Sequence, residues 1–153
     1  MTPPPDDTAG EALIRLFTRA NERLRKAVAG LDQGALDRVL APDTNSIAVL
    51  VTHSARSEMG WLHVAAGRPF ERVREEEFRV RGKTARDLAE VIDRAADAMP
   101  DLVRAAIAGG LDTTRRTRDG RDTSAADALF HALEHLTEHV GQIELTRQLV
   151  TRD

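Results

Sequence analysis

Two histidines set four apart, in the stretch His135-Leu136-Thr137-Glu138-His139, are the strongest chemical signal in this chain. On a helix, residues at that spacing lie one turn above each other and point the same way. Each imidazole then offers one neutral nitrogen to a single ion at about 2.1 Å. At ~100° per residue, both fall at one margin of the apolar stripe Leu129, Ala132, Leu133, Leu136, Val140 and Ile143. His53 holds an equivalent margin of an earlier stripe, beside Leu50 and Ser57. If two such margins face each other across a helical bundle, three imidazoles converge near one end of the core, a bundle-type metal site. The competing reading is plain: histidine pairs four apart are common on solvated helix surfaces, and a single histidine is often only hydrogen-bonded and half-buried. The coincidence of all three at stripe margins, with no other ligand cluster in the chain, points to metal.

The neighbouring residues sort by the same wheel. His131, one turn before His135, lies further from the core and is expected behind the ligands or facing solvent. His63 reads as a surface residue, and Glu134 and Glu138 as solvated charges. Gln142, three after His139, lies on the site's side, where it orients an imidazole or a bound water, or caps the end of the bundle. Trp61, eight residues beyond His53, reads as core rather than pocket wall.

Three neutral imidazoles leave a divalent ion with an open position, and open three-ligand sites point to chemistry rather than to structure alone. Such an ion lowers the pKa of a bound water toward ~7, or holds a substrate thiol as the nucleophilic thiolate. The nitrogen-rich ligand set suits zinc, nickel or iron. The chain has no cysteine, which removes disulfides, thiolate ligands and a cysteine nucleophile together. Any thiol must therefore come from a small molecule. Arg68, Arg72, Arg74, Arg79 and Arg81 crowd one predicted connection, and Arg115, Arg116, Arg118 and Arg121 another. Guanidiniums on loops suit an anionic substrate carrying carboxylate or phosphate, although interleaving with Glu71 and Glu75 to Glu77 makes a solvated charge cluster the simpler account of any single arginine. Two function classes stand: a metal-dependent thiol transferase or hydrolase, and a non-catalytic metal-binding or dimerising bundle with a structural or sensing role.

Four amphipathic helices must position these residues. Thr8 to Glu11, Thr84 to Asp87 and Ser124 to Asp127 each carry the signal that satisfies free amides at a helix start. Apolar stripes at three-and-four spacing follow: Leu13, Leu16, Phe17, Ala20, Leu24, Ala27 and Val28 in the first; Leu88, Val91, Ile92, Ala95, Met99, Leu102 and Val103 in the second; Leu129 to Ile143 in the third. Another helix begins near Asp43 to Asn45, carries Ile47, Leu50, Val51, Ser54, Glu58, Trp61, Leu62 and Ala65, and stops at Gly67. No run alternates at period two with enough β-branched residues to make a sheet. Four stripes that must bury one another make an all-α four-helix bundle. Pro100 lies within its stripe, so a kink or restart is expected there rather than an end. The connections are long: Gly30 to Pro42 with an extra helical turn at Leu36 to Leu40, the charged crossover Arg68 to Gly82, and Gly109 to Thr123 with a turn at Asp119-Gly120. Long links allow neighbouring helices to run parallel.

Composition closes off other classes. With 153 residues, 41% apolar and 31% charged, the chain is one globular domain with a sizeable core. A formal charge of -3 offers no cationic field for nucleic acid or an anionic membrane. With 3% aromatic residues and no tyrosine, base-stacking surfaces are not expected. No uncharged apolar run approaches the ~20 residues that cross a bilayer, and the Pro-rich, acidic start is the reverse of a signal peptide. A cytoplasmic location follows as the expectation, with residues 1–7 as a disordered tail and 8–153 as one domain.

At the histidines the chain resembles the DinB/YfiT-like family of metalloenzymes. Phe130 to Glu144 is similar to that family's His-x-x-x-His-x-Gly-Gln signature, matched at His135, His139, Gly141 and Gln142. Thr52-His53, with Glu58 and Trp61, resembles its first-ligand region, and Arg72 to Gly82, with Glu76-Glu77-Phe78, the linker of some members. The likeness spans about Glu11 to Leu149. It implies an up-down-down-up bundle, a divalent ion on His53, His135 and His139, and a homodimer. Members with assigned activity are mostly thiol-dependent, among them mycothiol-linked maleylpyruvate isomerase and bacillithiol transferases. Some sites in the family carry a carboxylate in place of one histidine; position 135 is histidine here, so the isomerase pattern is not matched in full.

Overall fold

The computed structural model describes residues 9–152. The predicted tail and the Thr8 helix start lie outside them. Four long helices carry the fold: α1 (Ala9–Val28), α3 (Ile47–Ala66), α5 (Ala85–Ala108) and α6 (Ala125–Val150). Two short ones, α2 (Gln33–Asp37) and α4 (Arg74–Glu77), sit in the connections, and a hairpin of β1 (Thr114–Arg116) and β2 (Asp122–Ser124) precedes α6.

Each start has a chemical cause. Thr84 and Asp87 form a reciprocal capping box at α5, Ser124 accepts the amide of Asp127 at α6, and Ser46 accepts the amide of Val49 at α3. The Ser46 cap, not Asp43 to Asn45, sets the beginning of α3. Gly67 ends α3 with φ +68, a left-handed conformation that releases two amides onto the carbonyls of the last turn. A Cβ there would also press on the Arg115 guanidinium at 2.9 Å. α5 runs through Pro100 as one helix; the proline has no amide to donate to the Ala96 carbonyl, and its ring crowds that same carbonyl.

The stripes meet in a single core. Phe17, Leu24, Leu62, Leu88, Ile92, Met99, Leu129, Leu136 and Ile143 are all buried, and truncating residues of this kind typically costs about 2–5 kcal/mol. Cross-helix pairs give the helix directions. Arg23 meets Glu144, and Arg147 reaches the carbonyls of Ala27 and Ala29, so α1 and α6 run parallel. Arg25 meets Asp93 while Glu11 meets Arg104, so α5 runs against α1. His53 meets His139 while Trp61 meets His131, so α3 runs against α6. The bundle is up-down-down-up, with α3 packed between α5 and α6. The surface ion pairs among these contacts are exposed and worth little on their own.

The connections depart from expectation in three places. The extra turn falls at Gln33–Asp37, capped by the Asp32 carboxylate, rather than at Leu36 to Leu40. The charged crossover contains α4. The Arg-rich excursion is a two-stranded hairpin with Thr114 opposite Ser124. Its strands are three residues each, too short for a period-two pattern to register. Ala125 and Ala126, at the start of α6, donate their amides to Thr113 and Leu111, so the hairpin is stitched to the helix bearing two of the histidines.

Candidate metal centre

α3 and α6 bring the three histidines together. His53 is buried on α3, and His135 and His139 are half-buried on α6. Their ligand atoms all lie within 4.8 Å of one another. Nε2 of His53 is 3.3 Å from Nε2 of His135, which is 3.2 Å from Nε2 of His139. Two imidazole nitrogens bound at 2.0–2.1 Å to a tetrahedral ion stand about 3.3 Å apart. The donor set therefore fits a divalent ion in identity, number and spacing.

The other ring nitrogens explain why the Nε2 atoms face inward. His53 Nδ1 lies 2.8 Å from a Glu77 carboxylate oxygen, and His139 Nδ1 lies 2.7 Å from Gln142 Oε1. An ionised carboxylate only accepts, so the proton sits on Nδ1 of His53 and the Nε2 lone pair is free to bind metal. Glu77 stays ionised. Burial pushes its pKa up, but hydrogen bonds from Arg72 and His53 outweigh that and hold it at about 2. Arg72 grips both carboxylate oxygens, at 2.6 and 2.9 Å. His135 is fixed by packing: its ring lies 4.4 Å from that of His139 and 5.0 Å from that of His53, and its buried Nδ1 has no hydrogen-bond partner. Burial, and then the neighbouring His139, His53, His131 and Arg72, depress its pKa to about 3. Burial likewise depresses that of His139, against the opposing effect of the hydrogen bond it donates to Gln142 Oε1. Both imidazoles are thus neutral at pH 7, the form that ligates metal.

A cavity of about 490 Å³ opens onto His53 and His135. A larger groove, about 860 Å³, runs between α1 and α6 and touches none of the three. Trp61 is half-buried and packs against the core, as expected, and its other side also walls the histidine cavity, with its ring 4.4 Å from that of His131. Eight residues carry it just over two turns past His53, to the margin between the core and the opening. His131 stands behind His135, 5.9 Å ring to ring, and is not among the converging atoms. His63 is half-buried instead of a free surface residue. It donates to the Met59 carbonyl and stacks on Phe70, because the crossover folds back over the end of α3. Glu134 and Glu138 are exposed, as expected.

The expected arginines separate. Arg68, Arg72, Arg74, Arg116, Arg118 and Arg121 line the cavity, whereas Arg79 and Arg81 do not. Arg115 docks the hairpin by donating to the Ala65 carbonyl. The pairing of Glu77 with Arg72 behind His53 escaped the sequence reading. Glu77 lies in a run of three glutamates, and only the fold of the four-residue α4 turns that one inward while Glu75 and Glu76 stay exposed.

A family model described as mycothiol-S-transferase matches residues 12–152. Among solved structures, the chain is similar to a conserved protein from Enterococcus faecalis, with a TM-score of 0.78, 15% identity, and coverage of 95% of this chain and 99% of that one. It is also similar to a DinB-like protein from Bacillus cereus, with a TM-score of 0.71, 18% identity, and coverage of 91% of each chain. At these identities the two structures speak for the fold. No curated protein matches the chain.

Proposed function

The chain belongs to the mycothiol-S-transferase family of DinB-like proteins, and on that premise we propose that it is a divalent-metal-dependent thiol S-transferase whose ion is held by His53, His135 and His139. The observation that carries this reading is the convergence of three Nε2 atoms at ligand spacing, with the outer nitrogens of His53 and His139 already committed to Glu77 and Gln142. Bound to three imidazoles, a zinc, nickel or ferrous ion supplies an open position and the charge that keeps a thiol ionised near neutral pH. The same position suits water and hydrolysis; family membership favours sulfur.

The chain's own residues do the rest. Glu77 and Gln142 hold two imidazoles in the ligating tautomer, and Arg72 keeps Glu77 ionised. Trp61, His63 and Phe70 wall the cavity and limit water on one side. The sulfur comes from a small-molecule thiol, since the protein has no cysteine. In the transfer, the thiolate sulfur bonds to an electrophilic carbon, that carbon's bond to its leaving group breaks, and the thiol proton passes to solvent.

We read the outer face of α6 as the contact with a second copy. Phe130, Leu145 and Leu149 are exposed there. Between them Gly141 is exposed, and a Cβ on it would meet nothing within 4 Å. A mid-helix glycine costs about 1 kcal/mol relative to alanine, and packing among the described residues gives no reason for it; close approach of a second helix does. No described helix is long and apolar enough to cross a membrane, and we place the protein in the cytoplasm, where small thiols are kept reduced.

Elemental analysis after metal-replete expression tests the centre. We expect about one ion per chain, lost in His53→Ala and His139→Ala, and less than ~0.2 in the unaltered protein sinks the reading. A panel of small thiols, mycothiol included, with electrophilic acceptors tests the activity. Conjugation that ignores metal removal would exclude the proposed role of the ion.

A further inference from the structure

We propose that the mouth of the histidine cavity is an oxyanion subsite, in which Arg68, Arg74 and Arg118 bind the carboxylate or phosphate of the electrophilic substrate. This rests on the transferase reading of the same cavity and adds the chemical class of the second substrate.

The six arginines lining the cavity divide by what they already hold. Arg72 is taken up by Glu77, Arg121 by Asp119, and Arg116 by the Gly120 carbonyl and Asp122. The other three have no acid against them among the described residues. The Arg68 side chain makes no hydrogen bond or ion pair among the described residues. Arg74 rests its guanidinium over the Phe78 ring, at 4.8 Å, and Arg118 spends one N–H on the Arg72 carbonyl, at 2.8 Å. The chain as a whole carries 25 acidic side chains against 22 lysines and arginines, so carboxylates are plentiful. Yet among the described residues the only acid lining this cavity, Asp119, is already held by Thr117 and Arg121. Three guanidiniums with unspent donors on one cavity make a cationic mouth to an otherwise anionic protein, and the planar fork of each matches an oxyanion.

Their positions are tied to the histidines. Phe78, beneath Arg74, has its ring 4.9 Å from that of His53. Arg118 is bonded to the backbone of Arg72, whose guanidinium lies 3.4 Å from His53 Nδ1. Arg118 is also not adrift on a loose loop. The buried Thr117 before it exchanges hydrogen bonds with Arg121 across the hairpin turn, which pins the tip over the opening. An oxyanion at the mouth thus lies within a small molecule's length of the converging Nε2 atoms, with Trp61 and Phe70 beside an apolar body.

Calorimetric titration of the metal-loaded protein with benzoate, inorganic phosphate and benzamide tests the subsite. Benzoate should bind at least ~10-fold more tightly than its neutral isostere, and Arg68→Ala and Arg118→Ala should each weaken it by ~10-fold, the usual size of a charge-assisted hydrogen bond. Arg79→Ala, outside the cavity, should change nothing. Arginine-dependent binding of either oxyanion supports the proposal. It is overturned if benzamide binds as well as benzoate, if neither oxyanion binds, or if oxyanion affinity falls with His139→Ala and ignores the arginines. Elemental analysis of the same samples reports on the ion separately: arginine-dependent binding by a protein that takes up no metal would leave the subsite standing and remove the transferase reading.

Discussion

Glu58 offers a direct measurement of what burial costs in this core. Its carboxyl is 1% exposed on α3; one oxygen accepts from the Asn21 amide at 2.9 Å, and the other has no hydrogen-bond partner. Asn21 Oδ1 is likewise buried and unpartnered. Burial raises the pKa from 4.5 to about 7, against a smaller opposing effect of the Asn21 hydrogen bond. Below pH 4.5 the group is protonated in folded and unfolded chains alike. As pH rises, the unfolded chain releases its proton first, so stability is lost progressively up to pH 7 and not regained above it. A gap of about 2.5 pH units at 1.36 kcal/mol each amounts to about 3 kcal/mol. Glu58→Gln keeps an acceptor for Asn21 and removes the charge. Urea unfolding of both proteins in chelator, from pH 4.5 to 8.5, should show the variant gaining on the parent by about 3 kcal/mol across that range. All other titrating groups cancel in the difference. A difference that stays flat with pH would refute the reasoning, as would a carboxyl that ionises near 4.5 in the folded state by NMR.

Three further outcomes are expected. Chelation should lower the melting temperature, since an ion at 100 times its Kd stabilises the folded state by about 2.7 kcal/mol; an unchanged melt after verified removal would mean that the centre adds little to the fold. Glu77→Gln keeps the shape behind His53 but loses the anion, and zinc affinity in a competition titration should fall by about 10- to 100-fold. An undiminished affinity would leave Glu77 no part in orienting the ligand. Gly141→Arg should turn a dimer into a monomer in sedimentation without altering metal content, whereas an unchanged sedimentation coefficient would clear the α6 face of that role.

Much of the histidine cluster was legible from spacing because a helix converts sequence separation into direction. His135 and His139 are obliged to share a face, and Gln142 to lie on their side, whatever the rest of the chain does. His53 needed only the inference that stripe margins meet. The same logic served the core, where Phe17, Ile92, Leu136 and Ile143 are all buried as their periodicity required, but Leu16, expected in the first stripe, is left 40% exposed on the groove between α1 and α6. It failed where no period exists. His63, expected on the surface, was covered by Phe70 from a crossover with no periodic pattern.

The amphipathic stripes and cap residues were thus enough to specify four helices, the all-α class and three histidines at stripe margins, because helix geometry and burial of apolar area are local rules. Tertiary structure alone decided the supporting chemistry. Whether Glu77 is one more solvated glutamate or the anion that sets the tautomer of His53 depends on where α4 lands. Which arginines keep free donors depends on which acids the crossover and the hairpin bring beside them. Both are long-range matches between irregular segments, and an ion pair between such segments is made by proximity in space that sequence spacing does not encode.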